Sequence, residues 1–361
     1  MKSASNLILI TGSSGRLGSA SVRALSDRFR IVGFDRDGDP HPPPEAECVC
    51  VDLTSEESID AGMKRVREGY GTKIASVVHF AAYYDFSGEP SAKYEEVTVR
   101  GTERLLRALR PFEVEQFIFS STMLVHAPCE PGERINEDWP LEPKWDYPLS
   151  KVATEKVISE HRGSMKSVSL RIAGVYDDEC HSIPLAHQIE RIFERKLTSR
   201  VYPGDPSRGQ AFVHLDDVVD AVCRCIDRRC QLPPEATLLI GEPETLGYED
   251  LQSEFGRLIH DEPWETKTIS KTLAKTGAWL QDHMPLAEEP FIKPWMVDLA
   301  DDHYALDIGR AREVLGWEPR HSLRATLPAM ISALRQSPAI WYRENGLEPP
   351  SWIKDESDAK L

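Results

Sequence analysis

Several absences narrow this 361-residue chain before any motif is read. No apolar run approaches the roughly 20 residues of a membrane span. The apolar N-terminal stretch is also too short for a secretory signal, so the sequence reads as cytoplasmic. Cysteine is scarce and unpaired in pattern: seven residues, an odd number, with no C-x-x-C. That argues against a disulfide framework and a zinc site, and no metal is expected. Cys48/Cys50 and Cys223/Cys225 read as core residues. Positive charge is in deficit, 43 Lys+Arg against 59 Asp+Glu, a net charge of −16. Phosphate backbones need a basic surface, so nucleic acid is not an expected partner. Internal repeats and low-complexity tracts are also missing. The length suits one large domain and a smaller one, with ample chain for a core.

Two motifs dominate what is present. Leu7-Ile8-Leu9-Ile10-Thr11 is an apolar run that turns through Gly12-Ser13-Ser14-Gly15-Arg16-Leu17-Gly18 into a helical stretch. The spacing is G-x-x-G-x-x-G. Gly12 allows the tight turn, Gly15 lets backbone N–H groups approach a pyrophosphate, and Gly18 lets helix and strand pack closely. The phosphates would rest on the helix N-terminus, where unpaired donors favour an anion. The next strand, Arg30 to Asp35, ends on a carboxylate suited to the adenosine ribose hydroxyls. That carboxylate would repel a 2′-phosphate, which favours NAD over NADP; Arg36 and Arg16 nearby pull the other way.

The second motif is Tyr147-Pro148-Leu149-Ser150-Lys151. A phenol and an ammonium at i and i+4 share one helical face. The cation is expected to favour phenolate and make the tyrosine a usable proton donor and acceptor. Around these motifs, strand-like runs alternate with helical patterns: Leu7–Ile10, Ile31–Phe34, Cys48–Leu53, Ser76–Phe80, Gln116–Phe119, Val168–Ile172 and Leu238–Ile240. The alternation predicts an α/β fold, a doubly wound parallel sheet of Rossmann type with helices on both faces.

From about Leu7 to Met330 the chain resembles the extended short-chain dehydrogenase/reductase family, which includes the NAD-dependent epimerases and dehydratases. The resemblance rests on ordered motifs: the glycine loop, Val51-Asp52-Leu53, Val78-His79-Phe80-Ala81-Ala82, Phe117 to Thr122, Tyr147 with Lys151, Leu170 to Tyr176, Ala211 to Asp217, and Leu306 through Trp317. It implies catalysis by Thr122, Tyr147 and Lys151. Thr122 would orient the substrate oxygen and Lys151 would hold the nicotinamide ribose. It implies NAD contacts from Gly12, Gly15, Arg16, Leu17, Gly18, Asp35, Arg36, Asp52, Leu53, Phe80, Ala81, Ala82, Ser120 and Lys151. Substrate contacts would come from Tyr84, Met123, His126 and Gly174, although His126 also reads as a satisfied buried histidine. The implied division is an NAD-binding domain (1–176 with 209–230), a smaller substrate-binding α/β region (177–208 with 231–330) and a C-terminal extension (331–361). Helices 97–109 and 147–161 would pair two copies into a homodimer.

Departures from the family's pattern shape the reaction. Met123 and Leu124 stand where dehydratases carry an acid, which argues against dehydration. Thr98, Gly174 and Gln210 replace residues that nucleotide-sugar epimerases use. Gln210 in particular lacks the guanidinium that grips a phosphate. Tyr83, Tyr84 and Phe86 suggest an aromatic substrate wall, and Trp279, Met284, Trp295 and Met296 an apolar pocket. The first reading is therefore an NAD-dependent oxidoreductase interconverting a moderately apolar secondary alcohol and its ketone, its substrate not a typical nucleotide sugar. A sugar or nucleotide-sugar epimerase with tightly bound NAD is the alternative. A non-catalytic NAD sensor is a third reading, opposed by the intact Thr-Tyr-Lys set.

Overall fold

The computed structural model describes residues 6–36, 42–85, 88–272, 274 and 294–353. Every apolar run named above becomes a strand of one sheet: β1 (Leu7–Thr11), β2 (Arg30–Asp35), β3 (Glu47–Cys50), β4 (Lys73–His79), β5 (Glu113–Thr122), β6 (Lys166–Ile172) and β10 (Glu235–Ile240). Short strands β7 (Gly174–Tyr176), β8 (Val201–Tyr202), β9 (Phe212–His214) and β11 (Lys267–Thr268) form two small parallel pairs, β7 with β9 and β8 with β11. The order of the large sheet is β10-β6-β5-β4-β1-β2-β3, with every pair parallel. The order reverses at β1, which lies between β4 and β2. In such a sheet the crevice at the strand carboxyl ends is the place for a ligand.

Helices cover both faces, which is why the strands read as unbroken apolar runs. Successive side chains of β1 alternate: Ile8 and Ile10 enter one core and Leu7 and Leu9 the other. The first core takes Val22 and Leu25 of α1 (Arg16–Leu25), Val218 and Val222 of α6 (Leu215–Asp227), and Ala311 and Leu315 of α9 (Gly309–Leu315). The second takes Ile59 and Met63 of α2 (Glu56–Tyr70), Leu105 and Leu106 of α3 (Arg100–Leu109), and Ile158 of α4 (Asp146–His161). Local sequence sets the ends of α2. The Ser55 hydroxyl accepts from Ser58 N–H at 3.2 Å, Glu56 and Glu57 sit in the first turn, and Gly71 closes the helix at φ 86°.

A third apolar cluster lies apart from the large sheet. It joins Leu185 and Ile189 of α5 (Ile183–Phe193), Leu251 and Phe255 of α7 (Tyr248–His260), Leu327 and Ile331 of α10 (Leu323–Gln336), and Trp341 and Tyr342 of α11 (Pro338–Glu344). One further short helix, α8, spans Pro294–Asp298.

Two expected boundaries move. Residues 235–240 fall within the expected substrate region, yet β10 is the edge strand of the large sheet beside β6, and Leu306, Ile308 and Trp317 pack into that sheet's core. The segment after 330 is no appendage either: Ile331, Leu334, Trp341, Tyr342 and Leu347 close the third cluster. Cys50 is exposed because β3 is the other edge strand, while Cys225 is fully buried. Among the described residues no helix is long and apolar enough to cross a membrane. The 354–361 tail lies outside the described residues.

Tyr342 is fully buried and donates its hydroxyl to Glu194 Oε1 at 2.9 Å. Tyr342→Ala is expected to cost about 3–5 kcal/mol, the usual range for deleting a buried aromatic ring. Urea unfolding checks this; unchanged stability would return 338–347 to the status of an extension.

Candidate active site

The glycine loop leaves β1 at the sheet's order reversal and is shaped by close contact. Gly12 sits at φ 70°, and a Cβ there would lie 2.9 Å from Ala81 N. A Cβ on Gly18 would lie 2.0 Å from the Gly12 carbonyl oxygen, so only glycine lets α1 come this near. Gly15 is the extended N-cap of α1. No side chain caps that helix and no acidic residue occupies its first turn. Its first N–H groups are thus left for an external anion, as a pyrophosphate requires, and the loop fits a dinucleotide.

Asp35, at the end of β2, accepts from Ser14 N–H and from Arg36 N–H, both at 2.8 Å. The carboxylate therefore braces the glycine loop. Arg36 is exposed. Arg16 reaches away from the loop to Asp177, Nη1 to Oδ2 at 3.2 Å. Leu17 packs on the first core. Asp52 Oδ1 accepts from Thr54 N–H and Oγ1, both at 2.8 Å, which holds its carboxyl below the usual range. Leu53 departs from expectation: its side chain is buried in the second core. Phe80, Ala81 and Ala82 follow β4. Phe80 N–H donates to Thr11 O at 3.1 Å and Ala81 N–H to Thr11 Oγ1 at 3.2 Å.

Two elements bring the expected catalytic groups together. Thr122 ends β5, and Tyr147 and Lys151 stand one turn apart at the start of α4. Lys151 Nζ donates to the Ser120 carbonyl at 2.7 Å and lies 5.5 Å from the centre of the Tyr147 ring. Burial pushes the Tyr147 phenol up to about 12, and its interaction with Thr122 opposes that rise. Burial also pulls Lys151 down to about 7, against the pull of Glu155. Burial dominates the Tyr147 shift and Lys151 is not among its causes, so in the free chain the phenol is not drawn toward phenolate. Tyr147 holds its proton there.

The aromatic wall has more members than the sequence suggested. Tyr84 meets Tyr147 edge-on with ring centres 4.9 Å apart, Trp145 lies at 5.4 Å and Tyr94 at 6.5 Å. Trp145 was findable, two residues before Tyr147. Tyr94 was not, since it enters from the π-helical turn Tyr94–Val99 before α3. Phe86 lies outside the described residues.

Three expected substrate contacts do other work. His126 is fully buried: its Nδ1 donates to Trp139 O at 3.0 Å and its Nε2 accepts from Arg171 Nη1 at 3.0 Å. Both ring nitrogens are engaged inside the protein, and burial beside Arg171 lowers its pKa to about 4. Met123 belongs to the first core, 2% exposed. Gly174 is a packing glycine, since a Cβ would lie 2.8 Å from the Phe212 ring.

Next to Met123, Leu124 lines a cavity of about 310 Å³ together with Trp145, Tyr202, Gln210, Tyr248 and Met296. The rings of Tyr202 and Tyr248 stack at 4.0 Å. Each cation on this wall has a partner: Lys144 holds Asp302 at 2.7 and 2.8 Å, Arg208 holds Glu130 at 2.5 Å, and Arg191 contacts the Tyr248 phenol. Of the other residues expected there, Trp279, Met284 and the Trp295 side chain lie outside the described residues. Two histidine–carboxylate groups stand near Arg16, His214/Asp216/His321 and Asp177/Glu179/His181. In them His181 Nδ1 is bonded to Asp177, His321 Nδ1 to Asp217, and His214 Nδ1 accepts Asp216 N–H.

Comparison with known proteins places this geometry. The family model described as NAD dependent epimerase/dehydratase family matches residues 8–241. UDP-glucose 4-epimerase of Mycolicibacterium smegmatis is 26% identical over 352 residues, covering 91% of this chain and 98% of that one. Short-chain dehydrogenase/reductase family 42E member 1 of Mus musculus is 28% identical over 232 residues. That match covers 59% of this chain and 56% of the relative, so the chain spans little more than half the relative's length. Among solved structures, the UDP-glucose 4-epimerase of Thermus thermophilus in complex with NAD superimposes with a TM-score of 0.68 at 22% identity, over 91% of this chain and 99% of that one. A UDP-glucuronic acid 4-epimerase from Bacillus cereus, with UDP-glucuronic acid and NAD, also gives 0.68, at 19% identity and the same coverage. At these identities the two structures show a shared fold.

The site makes a prediction about stability. Lys151 titrates near 7 in the folded chain and at 10.5 ordinarily. Between those values the unfolded chain binds the extra proton, so the folded state gains stability from this group as pH rises through the window. Lys151→Met removes the dependence. Its stability relative to wild type should be most favourable at and below neutral pH and decline toward pH 10.5. Chemical denaturation across pH checks this, and a constant difference would contradict it.

Proposed function

The chain belongs to the NAD dependent epimerase/dehydratase family, and on that premise we propose that this NAD-using enzyme inverts a hydroxyl-bearing carbon of a nucleotide-linked sugar. The carbon is oxidised to a ketone and reduced again from its other face. One observation carries the reading. Likeness to the M. smegmatis UDP-glucose 4-epimerase covers 91% of the chain, whereas likeness to the 42E dehydrogenase covers 59%. As an enzyme, the chain leaves the non-catalytic sensor reading behind.

In this reading the glycine loop, Asp35, Asp52, Phe80 to Ala82 and Ser120 hold NAD, and the chain pairs as a homodimer through α3 and α4. NAD, when bound, supplies the hydride acceptor and donor. The remaining work falls to the side chains. Thr122 donates to the substrate oxygen and turns it toward the Tyr147 hydroxyl. Tyr147 takes the proton as the carbonyl forms and returns it as the alcohol reforms. Lys151 relays charge to that phenol while the Ser120 carbonyl holds its amine. The proton is borrowed and restored within one turnover: the resting phenol first passes its own proton to the neutral Lys151 amine, then takes the substrate's, and both return as the alcohol reforms. Tyr84, half exposed, and Trp145 line the approach to the Tyr147 ring.

A second reading rests on the cavity wall. Gln210 replaces a phosphate-gripping arginine, and the cations beside it already have partners. Both features favour net oxidation of a less charged secondary alcohol. The readings separate on product. With UDP-glucose or UDP-glucuronic acid, epimerisation gives the 4-epimer without accumulation of NADH. Tyr147→Phe should lose about 100-fold or more in kcat while still binding NAD. No epimer, with NADH accumulating from an apolar secondary alcohol, would decide for the second reading.

A further inference from the structure

Behind the catalytic groups lies a buried ion pair that the mechanism above does not use. Glu155, one turn beyond Lys151 on α4, holds Arg171 of β6 through two contacts, Nε to Oε1 at 3.1 Å and Nη2 to Oε2 at 2.7 Å. Glu155 Oε1 also accepts the Ser121 hydroxyl at 2.5 Å. Ser121 stands between Ser120, whose carbonyl accepts from Lys151, and Thr122. On its other side Arg171 Nη1 donates to His126 Nε2 at 3.0 Å and to the Glu137 carbonyl at 3.1 Å. The two ionic side chains are only 7% and 14% exposed. Such a pair gains little net stability over apolar side chains of similar volume, because burying two charges costs about what their attraction returns. Stability alone therefore does not account for charge at this position, whereas its place between three elements of the site does.

We propose that Glu155, held by Arg171, is a positioning residue for the reaction: through Ser121 it fixes the end of β5, which keeps the Ser120 carbonyl on Lys151 and Thr122 beside Tyr147. This role rests on the Thr122–Tyr147–Lys151 reading of the site. The carboxylate has a second effect, because its charge opposes the burial that lowers Lys151. The other groups around the lysine do not supply that charge. Tyr147 shares its helix, His79 of β4 is kept neutral by burial, and Phe119 of β5 offers a ring face at 4.9 Å. Tyr84 and Tyr94 face Tyr147. Arg171, on β6, is positive and bonded to the same carboxylate.

NMR titration of the full chain, isotopically labelled at lysine Cε and with Lys151→Met identifying the resonance, reads Lys151 without any substrate. In Glu155→Gln the Lys151 midpoint should fall by about 1 pH unit or more, the effect of losing an adjacent opposite charge. In Glu155→Asp it should stay near the wild-type value. Glu155→Gln leaves a buried guanidinium unpaired. If that variant does not fold, Glu155→Gln with Arg171→Met removes both charges and should give the same downward shift. Ser121→Ala keeps the ion pair and the midpoint but should lower kcat for UDP-glucose about tenfold at unchanged KM, the cost of a misplaced catalytic group. A midpoint that does not move when the carboxylate is removed, or a Ser121→Ala enzyme with wild-type kcat, overturns the role. A wild type inactive on UDP-glucose sinks the substrate reading alone, and the titration still decides the role of Glu155.

Discussion

The rest of the site depends on how closely α1 approaches the end of β1. With a Cβ on Gly18 that would stand 2.0 Å from the Gly12 carbonyl oxygen, the contact is backbone on backbone and tolerates no side chain. It sets the uncapped start of α1 in the crevice where the strand order reverses. From the same turn a chain of hydrogen bonds runs to Lys151. Thr11 Oγ1 donates to His79 Nδ1 at 2.6 Å, and His79 Nε2 donates to Thr102 Oγ1 at 2.8 Å. The Ser120 hydroxyl donates to the His79 carbonyl at 3.3 Å, and the Ser120 carbonyl accepts from Lys151. His79 is neutral, held far below its ordinary pKa by complete burial. Its two nitrogens can therefore play opposite roles, one accepting and one donating, and tie the loop to α3 and β5.

Burial also sets the proton affinities of Tyr147 and Lys151, the pair proposed to do the chemistry. It raises Tyr147 to about 12 and lowers Lys151 to about 7, so both groups move toward neutrality. A phenol and an amine in that condition are poised to pass a proton along rather than to stand as a fixed ion pair. That suits a reaction in which the substrate hydroxyl loses its proton and recovers it. The rings of Tyr84, Tyr94 and Trp145 stand around the phenol of that pair.

Much of this is legible in the sequence, and the physical reasons differ by element. The seven strands can be read because parallel strands buried on both faces leave continuous apolar runs, and the glycine loop because only glycine survives its contacts. The Tyr147–Lys151 spacing discloses a shared face but not how strongly burial acts on the two groups. Residues 235–240 look like part of the second region because local pattern does not say which neighbour a strand joins; β6 lies far upstream. Trp341 and Tyr342 look like an extension because the partners of Tyr342, Phe193 of α5 and Glu194 beyond it, are equally remote. His126 and Met123 sit close to Thr122 in the chain, which suggests that they share its place at the site. A strand end followed by a tight turn sends neighbouring side chains in different directions, and these two go inward. The Glu155–Arg171 pair leaves no local signal, since an acid and a base 16 positions apart form no motif.

Native mass spectrometry of the freshly purified protein, followed by release and identification of any nucleotide, tests the central claim most directly. An epimerase of this family has no need to exchange its cofactor between turnovers. The account therefore predicts NAD retained at one molecule per chain through purification. Protein that carries no nucleotide and binds neither NAD nor NADP when either is added would contradict it.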